Sequence, residues 1–497
     1  MIIGQVADAR RHPATLVSSV LPVPGSGSLP EAVEREFDTV VIGAGPAGEV
    51  AAGRLADLGR KSVAIVEQEL VGGECSFYAC MPSKALLRPA EILAEAQRVP
   101  GAAEAITGGL DVQAVLDRRD EVIHDLDDSL QLPWLEDRDI ALFRGHARID
   151  GERRIRIGDD LLLARDAVII ATGSGPATPP IDGLADAGAW SNRQITTAKE
   201  VPGRLLILGG GVVGVEMAQA WSSLHSKVTI IESAEKLLVN YEPFVGEEIT
   251  EALRDHGVEV RLGAKAVSVS RRGEEITVEL EGGASVIGDR LLVAVGRRPR
   301  TEELGLESVG LKPGGYIEVD DSLQVPGHPW LYAVGDVNGR ALLTHAGKYQ
   351  ARIAVDRILG SQTARAVADL RGAPQVVFTD PEVAAVGLTK AGAEKKGLNV
   401  IAIDLPTESS AGASFVGRGA SGTSRFVVDA DRQVLVGVTF VGPAANDFLQ
   451  AASIAVAAEV PLTALAHAVA PFPTRSELWL SFLQQYEEET GHSVHDS

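Results

Sequence analysis

The sequence predicts an α/β protein with two doubly wound units and a smaller α+β domain closing the chain. Three observations carry that reading. A strand, glycine-rich turn, helix and second strand occur in order at 37–67 and again at 204–232. The two copies have nearly equal dimensions, from Gly43 to Glu67 and from Gly209 to Glu232. After about Pro374 the pattern changes to short alternating strands at 375–378, 424–429 and 434–441, followed by an Ala-rich helix over 446–459.

Each copy justifies its elements in turn. In the first, an apolar strand at 39–42 runs into Gly43-Ala44-Gly45-Pro46-Ala47-Gly48, then a helix at 50–58 and a strand at 62–67. The first glycine makes the turn, the second lets backbone approach a pyrophosphate, and the third packs helix on strand. Glu67 is placed to bond a ribose hydroxyl. A glycine triplet alone is weak, but here the strand, helix and acid all stand in place. The second copy repeats the device. Its strand is 205–208, its turn Gly209-Gly210-Gly211-Val212-Val213-Gly214, its helix 215–224, and its acid Glu232 ends a strand at 227–232. Both read as Rossmann-like dinucleotide-binding domains. A site selecting a 2′-phosphate replaces that acid or sets an arginine beside it. Ser233, Ala234 and Glu235 follow Glu232, so NAD(H) is favoured over NADP(H). Two further apolar strands end in tight turns: 167–170 runs into Ala171-Thr172-Gly173, and 291–295 into Gly296-Arg297-Arg298-Pro299.

Bulk properties exclude several classes. With 497 residues the chain has room for about three domains at ~150 residues each. A net charge of −22 disfavours a nucleic-acid partner, and the pairs Arg271-Arg272 and Arg297-Arg298 are too short to offset it. No apolar run reaches the roughly 18 residues of a membrane span, so no membrane insertion is expected. Residues 1–36 show no periodicity and contain a Pro/Gly/Ser-rich stretch at 22–30, which reads as a flexible leader with order beginning at Phe37. Their apolar stretch at 16–23 is broken by Ser18, Ser19 and Pro22, a poor secretory signal. Two cysteines do not make a secreted framework; a cytoplasmic protein with one special pair is the better reading.

That pair lies in Gly72-Gly73-Glu74-Cys75-Ser76-Phe77-Tyr78-Ala79-Cys80-Met81-Pro82-Ser83-Lys84. On an ideal helix, residues five apart have Cα atoms about 8–9 Å apart, beyond the roughly 4.4–6.8 Å a disulfide spans. A bond between Cys75 and Cys80 therefore needs a distorted helix or one cysteine at its frayed start. Gly72-Gly73 and Pro82 make such irregularity reasonable.

From about residue 37 to 480 the chain resembles the class I pyridine nucleotide-disulfide oxidoreductase family, which includes dihydrolipoamide dehydrogenase, glutathione reductase and mercuric reductase. The resemblance implies FAD on residues 43–48 with Glu67, and the family's redox motif on residues 72–84, with Glu74 and Ala79 as departures. It implies further cofactor contacts from Gly73, Lys84, Thr172, Gly173, Gly296 and Arg297. Tyr332-Ala333-Val334-Gly335-Asp336 looks like the second FAD motif, and Thr344-His345-Ala346 like the segment whose backbone approaches the flavin. By position, Cys80 would be the flavin-proximal thiol, Cys75 the interchange thiol, and Lys84 would pair with Glu216. Phe378-Thr379-Asp380-Pro381-Glu382-Val383 opens what resembles a dimerisation domain. The implied fold is α/β, with two Rossmann-like dinucleotide-binding domains plus a C-terminal α+β dimerisation domain. The expected division is leader 1–36, FAD domain 37–185 and 300–368, NAD domain 186–299, and interface domain 369–497, in a homodimer.

One departure bears on chemistry. Where the family carries His-x-His-Pro-Thr-x-x-Glu, this chain reads Ala470-Pro471-Phe472-Pro473-Thr474-Arg475-Ser476-Glu477. Phe472 stands at the position of the acid/base histidine, and Glu477 at that of the carboxylate that orients it. General acid–base assistance is worth about 10²–10⁴-fold, so ordinary lipoamide or glutathione turnover should be poor. His467 and Tyr78 are the candidate substitutes, each set against a plain structural role. No additional cysteine pair near the C-terminus serves mercury delivery. The expected activity is electron transfer from NAD(P)H through FAD to Cys75 and Cys80, then to a disulfide or thiol-reactive small-molecule acceptor. The alternatives are an NAD(P)H:quinone or soft-metal reductase using the flavin directly, and a non-catalytic flavoprotein redox sensor.

Overall fold

The computed structural model describes residues 34–495. The expected leader lies outside the described residues, except that Glu34, Arg35 and Glu36 already belong to the first strand. Order therefore begins before Phe37: β1 spans Glu34–Ile42.

From β1 the chain makes α1 (Pro46–Gly59), β2 (Val63–Glu67), the five-residue α2 (Gly73–Phe77) and the long α3 (Cys80–Arg98). Helix α1 starts earlier than the expected 50 because Gly45 caps it and Pro46, with its fixed φ, occupies the first turn. β1 pairs in parallel with β2 and with Asp160–Ile170, an eleven-residue strand of which the sequence pattern showed only the end. Ala141–Arg144 extends the sheet beyond β2, and His328–Ala333 extends it on the other side. Val40, Val41, Ile65, Val168, Ile169 and Leu331 are fully buried, as expected of parallel strands covered on both faces.

The second unit is a four-stranded parallel sheet in the order Glu259–Arg261, Lys227–Ile231, Arg204–Leu208, Arg290–Val293. Its last strand ends at Val293, before the expected 295. An antiparallel three-stranded sheet, Ala266–Arg272, Glu275–Leu280 and Ser285–Gly288, lies between its third and fourth strands in the chain, beyond what the sequence pattern predicts. The chain leaves the first sheet through Ser174–Pro176 and returns through Arg297–Pro299, and these two segments pair with each other. His328–Ala333 then rejoins the first sheet.

The closing domain is a five-stranded antiparallel sheet packed by helices Asn446–Ala457 and Leu478–Thr490. Its core stacks Phe426 on Phe482 at 4.3 Å, with Phe440 edge-on to Phe426 at 5.6 Å. Among the described residues no helix is long and apolar enough to cross a membrane.

Candidate active site

The carboxyl ends of β1, β2, Asp160–Ile170 and His328–Ala333 converge, and in such sheets ligands sit beyond those ends. Gly43 has φ +102°, and a Cβ there would meet the Ala171 carbonyl oxygen at 2.4 Å. At Gly48 it would meet the Gly43 oxygen at 1.9 Å. At Gly45 it would meet nothing within 4 Å. The outer glycines are thus needed by the protein itself, while the middle one leaves open space at the N-terminus of α1, where backbone N–H groups and the helix dipole favour phosphate. Glu67 Oε2 accepts from the Ala44 N–H at 2.8 Å and its Oε1 from the Glu69 N–H at 2.8 Å. Burial pushes this carboxyl up, against the pull of those two N–H groups.

The second turn repeats the geometry. Gly209 faces the Ala294 oxygen, Gly214 the Gly209 oxygen, and Gly211 open space. Glu232 accepts from the Gly210 N–H at 2.5 Å and the Ala234 N–H at 2.7 Å. Both cradles fit a dinucleotide. Gly48→Ala is expected to destabilise the fold by about 1–3 kcal/mol through overpacking. Gly45→Ala should keep the melting temperature of the apoprotein and weaken flavin retention; thermal unfolding and bound flavin absorbance check both.

A cleft of about 1140 Å³ runs from the first turn to the cysteines. It brings together Gly43, Gly45, Pro46, Ala47, Glu67, Gly73, Cys75, Cys80, Lys84, Thr172, Gly173, Glu216, Arg297, Gly335, Asp336, Thr344 and His345. Gly48 and Ala346 lie behind it in the packing of their helices, and Gly296 lies outside it. Gly209, Gly211, Gly214 and Glu232 are off its wall, although Val212 and Val213 of the same unit line it. Asp336 accepts from the Ser174 hydroxyl at 2.5 Å, and that oxygen accepts from Arg297 Nε at 2.6 Å. His345 is turned to the Pro374 carbonyl at 2.7 Å. The buried Gln350, missed in the sequence, accepts from the Gly335 N–H and from Asn338 Nδ2, both at 2.8 Å, and so fixes the Asp336 loop.

The cysteine spacing is resolved by a break. Cys75 sits in α2, Tyr78 and Ala79 leave the helical path, and Cys80 is the first residue of α3. Ala79 has φ −136°, outside the left-handed region, so alanine is accepted where the family carries glycine. Both cysteines are free thiols with their sulfurs hydrogen-bonded to each other. That bond pushes Cys80 down to about 6, against its burial, with help from the Thr344 hydroxyl at 3.4 Å and from Lys84. The same bond, with burial, pushes the Cys75 thiol far up. The helix N-terminus also favours a thiolate at Cys80. Thiolate absorbance of the reduced protein should therefore show one sulfur titrating near pH 6 and protonated below it. In Cys75→Ala, which removes the largest cause, the midpoint should rise.

Lys84 Nζ lies 2.7 Å from Glu216 Oε2 and 4.7 Å over the Phe378 ring, and Glu216 also accepts from the Phe378 N–H at 3.0 Å. Glu74 accepts from Arg193 Nε at 2.7 Å, Arg300 Nη2 at 2.6 Å and Asn192 Nδ2 at 3.0 Å. None of these three partners carries a motif signal, because each arrives from a distant stretch of chain.

Phe472 and Glu477 are not brought to the cysteines within one chain. Phe472 is 76% exposed, and Val469 beside it 89%. Glu477 Oε2 is buried without a hydrogen-bond partner. Of the two candidate substitutes, Tyr78 carries the Arg193 guanidinium 4.5 Å over its ring, and burial pushes its phenol up. His467 packs 6.0 Å from the His495 ring.

The family model for pyridine nucleotide-disulphide oxidoreductases matches residues 37–351, and the model for that family's dimerisation domain matches 373–481. A dihydrolipoyl dehydrogenase of Thermus scotoductus is 37% identical over 72% of this chain and 77% of its own length. A mercuric reductase of Staphylococcus aureus is 32% identical over 74% and 67%. Among solved structures, the Cu(II) complex of the HOCl-induced flavoprotein disulfide reductase RclA from Escherichia coli is 27% identical, with a TM-score of 0.78 over 90% of this chain and 99% of that one. LpdA from Mycobacterium tuberculosis is 26% identical at 0.79, with the same coverage. With its paired glycine cradles and a cysteine pair on the cleft of the first, the chain belongs to the class I pyridine nucleotide-disulphide oxidoreductases and is a flavoprotein oxidoreductase.

Proposed function

We propose that this enzyme passes electrons from NADH through FAD to a Cys75–Cys80 disulfide, and from the resulting dithiol to a small-molecule disulfide or thiol-reactive acceptor. Residues 37–185 and 300–368 would hold FAD, 186–299 the nicotinamide nucleotide, and 369–497 the subunit interface of a cytoplasmic homodimer. FAD, when bound, supplies the hydride-accepting ring between nucleotide and thiols. The chain supplies the rest. Residues 43–48 and Glu67, with Thr172, Gly173, Arg297, Asp336 and the 344–346 segment, would bind and orient the cofactor. Lys84, fixed by Glu216, would place positive charge beside the reduced ring and the Cys80 sulfur. Reducing the disulfide takes two electrons and two protons, leaving a Cys80 thiolate once one proton is released.

The observation that carries the reading is the placement of the pair on the cleft: Cys75 and Cys80 lie side by side across the helix break, with the Thr344 hydroxyl 3.4 Å from the Cys80 sulfur and Lys84 near it, surroundings that push Cys80 down and Cys75 up. A thiolate is the nucleophile in exchange, and a low-pKa thiol leaves well. Anaerobic NADH titration tests it. The wild type should take up more than one hydride equivalent and develop thiolate–flavin charge-transfer absorbance, while Cys80→Ser should take up one and lose the band. Equal uptake by both would sink the proposal.

Phe472 favours a second reading. An exposed aromatic ring where an imidazole belongs suits an acceptor that takes no proton from the protein, such as a soft metal ion, or a quinone whose two protons come from solvent, reduced at the flavin or at the thiols. Undiminished quinone reduction in Cys75→Ser and Cys80→Ser would select the flavin route.

A further inference from the structure

Glu74 departs from the redox motif and has no part in the chemistry above, yet its carboxylate is the acceptor for two arginines from opposite chain crossings. Arg193 belongs to helix Asn192–Thr197 on the outward path to the second nucleotide unit. Arg300 directly follows Arg297–Pro299 on the return path, where its carbonyl accepts from the Thr172 hydroxyl at 2.9 Å. Both guanidinium groups reach the same oxygen, Oε1, at 2.7 and 2.6 Å. The three side chains are 18–29% exposed, where ion pairs are screened less than on an open surface.

The same outward helix also sets the break between the two cysteines. The Tyr78 carbonyl, left without a helical partner at that break, accepts from Asn192 Nδ2 at 2.9 Å and Thr196 Oγ1 at 3.1 Å. The turn between Cys75 and Cys80 is therefore shaped from outside α2 and α3, by the segment that leads into the second unit. Gly73 on the other side of Glu74 packs against Gly45, where its Cβ would come within 2.8 Å of the Gly45 Cα. A shift of the second unit relative to the first would accordingly be transmitted to the residue next to Cys75.

We propose that Glu74 is a positioning residue that fastens the Cys75 helix to both crossings between the nucleotide units, so that nucleotide bound in the second unit sets the dithiol–disulfide equilibrium of the pair. This rests on the reading of Cys75 and Cys80 as a redox pair. Neutralising Glu74 leaves two guanidinium groups facing each other without their shared anion. It frees Arg300 from the Cys75 helix and weakens the tie to the outward crossing, which then rests on Arg193 with Glu69 at 2.5 Å and on Asn192 and Thr196 at the Tyr78 carbonyl.

The test uses FAD-loaded protein equilibrated in dithiothreitol redox buffers, with thiols trapped and counted. ADP-ribose, which carries no nicotinamide to be reduced, is the probe. In wild type, saturating ADP-ribose should shift the equilibrium constant by about fivefold or more, ~20 mV for a two-electron couple. In Glu74→Gln and Arg300→Gln the shift should shrink below about twofold, and the double variant should be no worse than either single, as for residues of one network. A full shift in Glu74→Gln, or none in wild type, overturns the proposal. If Glu74→Gln loses FAD, Arg193→Gln and Arg300→Gln carry the same comparison. Failure of the redox reading is seen separately: NADH would then free no thiols in wild type, while the dithiothreitol equilibrium would still score the link.

Discussion

Phe472→His is expected to raise turnover of a small disulfide or dithiol substrate by about 10²–10⁴-fold, the range that general acid–base assistance supplies. On the proposed reading, the other groups of the exit are already present. Cys75 has a high-lying thiol that needs a base to become a nucleophile. Glu477 holds a buried oxygen with no partner, five residues beyond Phe472, where the family's resemblance places the carboxylate that orients the histidine. Phe472 itself is exposed in the single chain, so installing an imidazole asks for no repacking of the protomer. Steady-state assays with lipoamide and with glutathione disulfide give the result, and the rate should acquire a pH limb near the histidine range. Adding Glu477→Gln to Phe472→His should forfeit part of the gain. A change below tenfold, with substrate binding intact, would remove Phe472 from the exit.

Lys84→Met is expected to cost about 3–5 kcal/mol, the penalty for leaving a buried charge without its partner. The lower end applies here, because Lys84 is one-third exposed and Glu216 keeps the Phe378 N–H. Glu216, with its side chain only 4% exposed, bears the loss. Adding Glu216→Leu should recover most of the stability, since a buried pair replaced by apolar groups is near neutral. The double variant should nevertheless fail to restore the charge-transfer absorbance, because the positive charge beside Cys80 is gone. Urea unfolding of wild type, Lys84→Met, Glu216→Leu and the double variant at saturating FAD separates the two effects; a stable Lys84→Met would show that the pair is dispensable to the fold.

Much of the molecule was legible in the chain itself. The paired glycine turns with Glu67 and Glu232 are local signals: φ beyond the reach of side chains and strands buried on both faces leave marks within 30 consecutive residues. The cysteine pair was equally plain, and so was a phenylalanine, Phe472, where the family resemblance implies a histidine. The strand boundaries were not, because β1 begins at Glu34 among charged residues and Asp160–Ile170 continues across the exposed Arg165 and Asp166, where a pattern reading ends the strand. In the antiparallel sheet at 266–288, Glu275–Leu280 and Ser285–Gly288 alternate between buried and more exposed positions and Ala266–Arg272 does not; strands this short do not reveal which neighbours they pair with.

The sequence by itself determined the class of the protein and the identity of its redox groups, since both depend on residues close together in the chain. Only the tertiary structure decided how the cysteines meet across the Tyr78–Ala79 break, that Gln350 holds the Asp336 loop, and that Glu74 joins Arg193 to Arg300. Glu74 reaches residues more than a hundred positions away, Gln350 reaches back from a helix to a loop fifteen residues before it, and the cysteines meet across a kink whose shape a neighbouring helix imposes. Charge and hydrogen bonding act through space, and a linear pattern records which groups exist without recording which of them will touch.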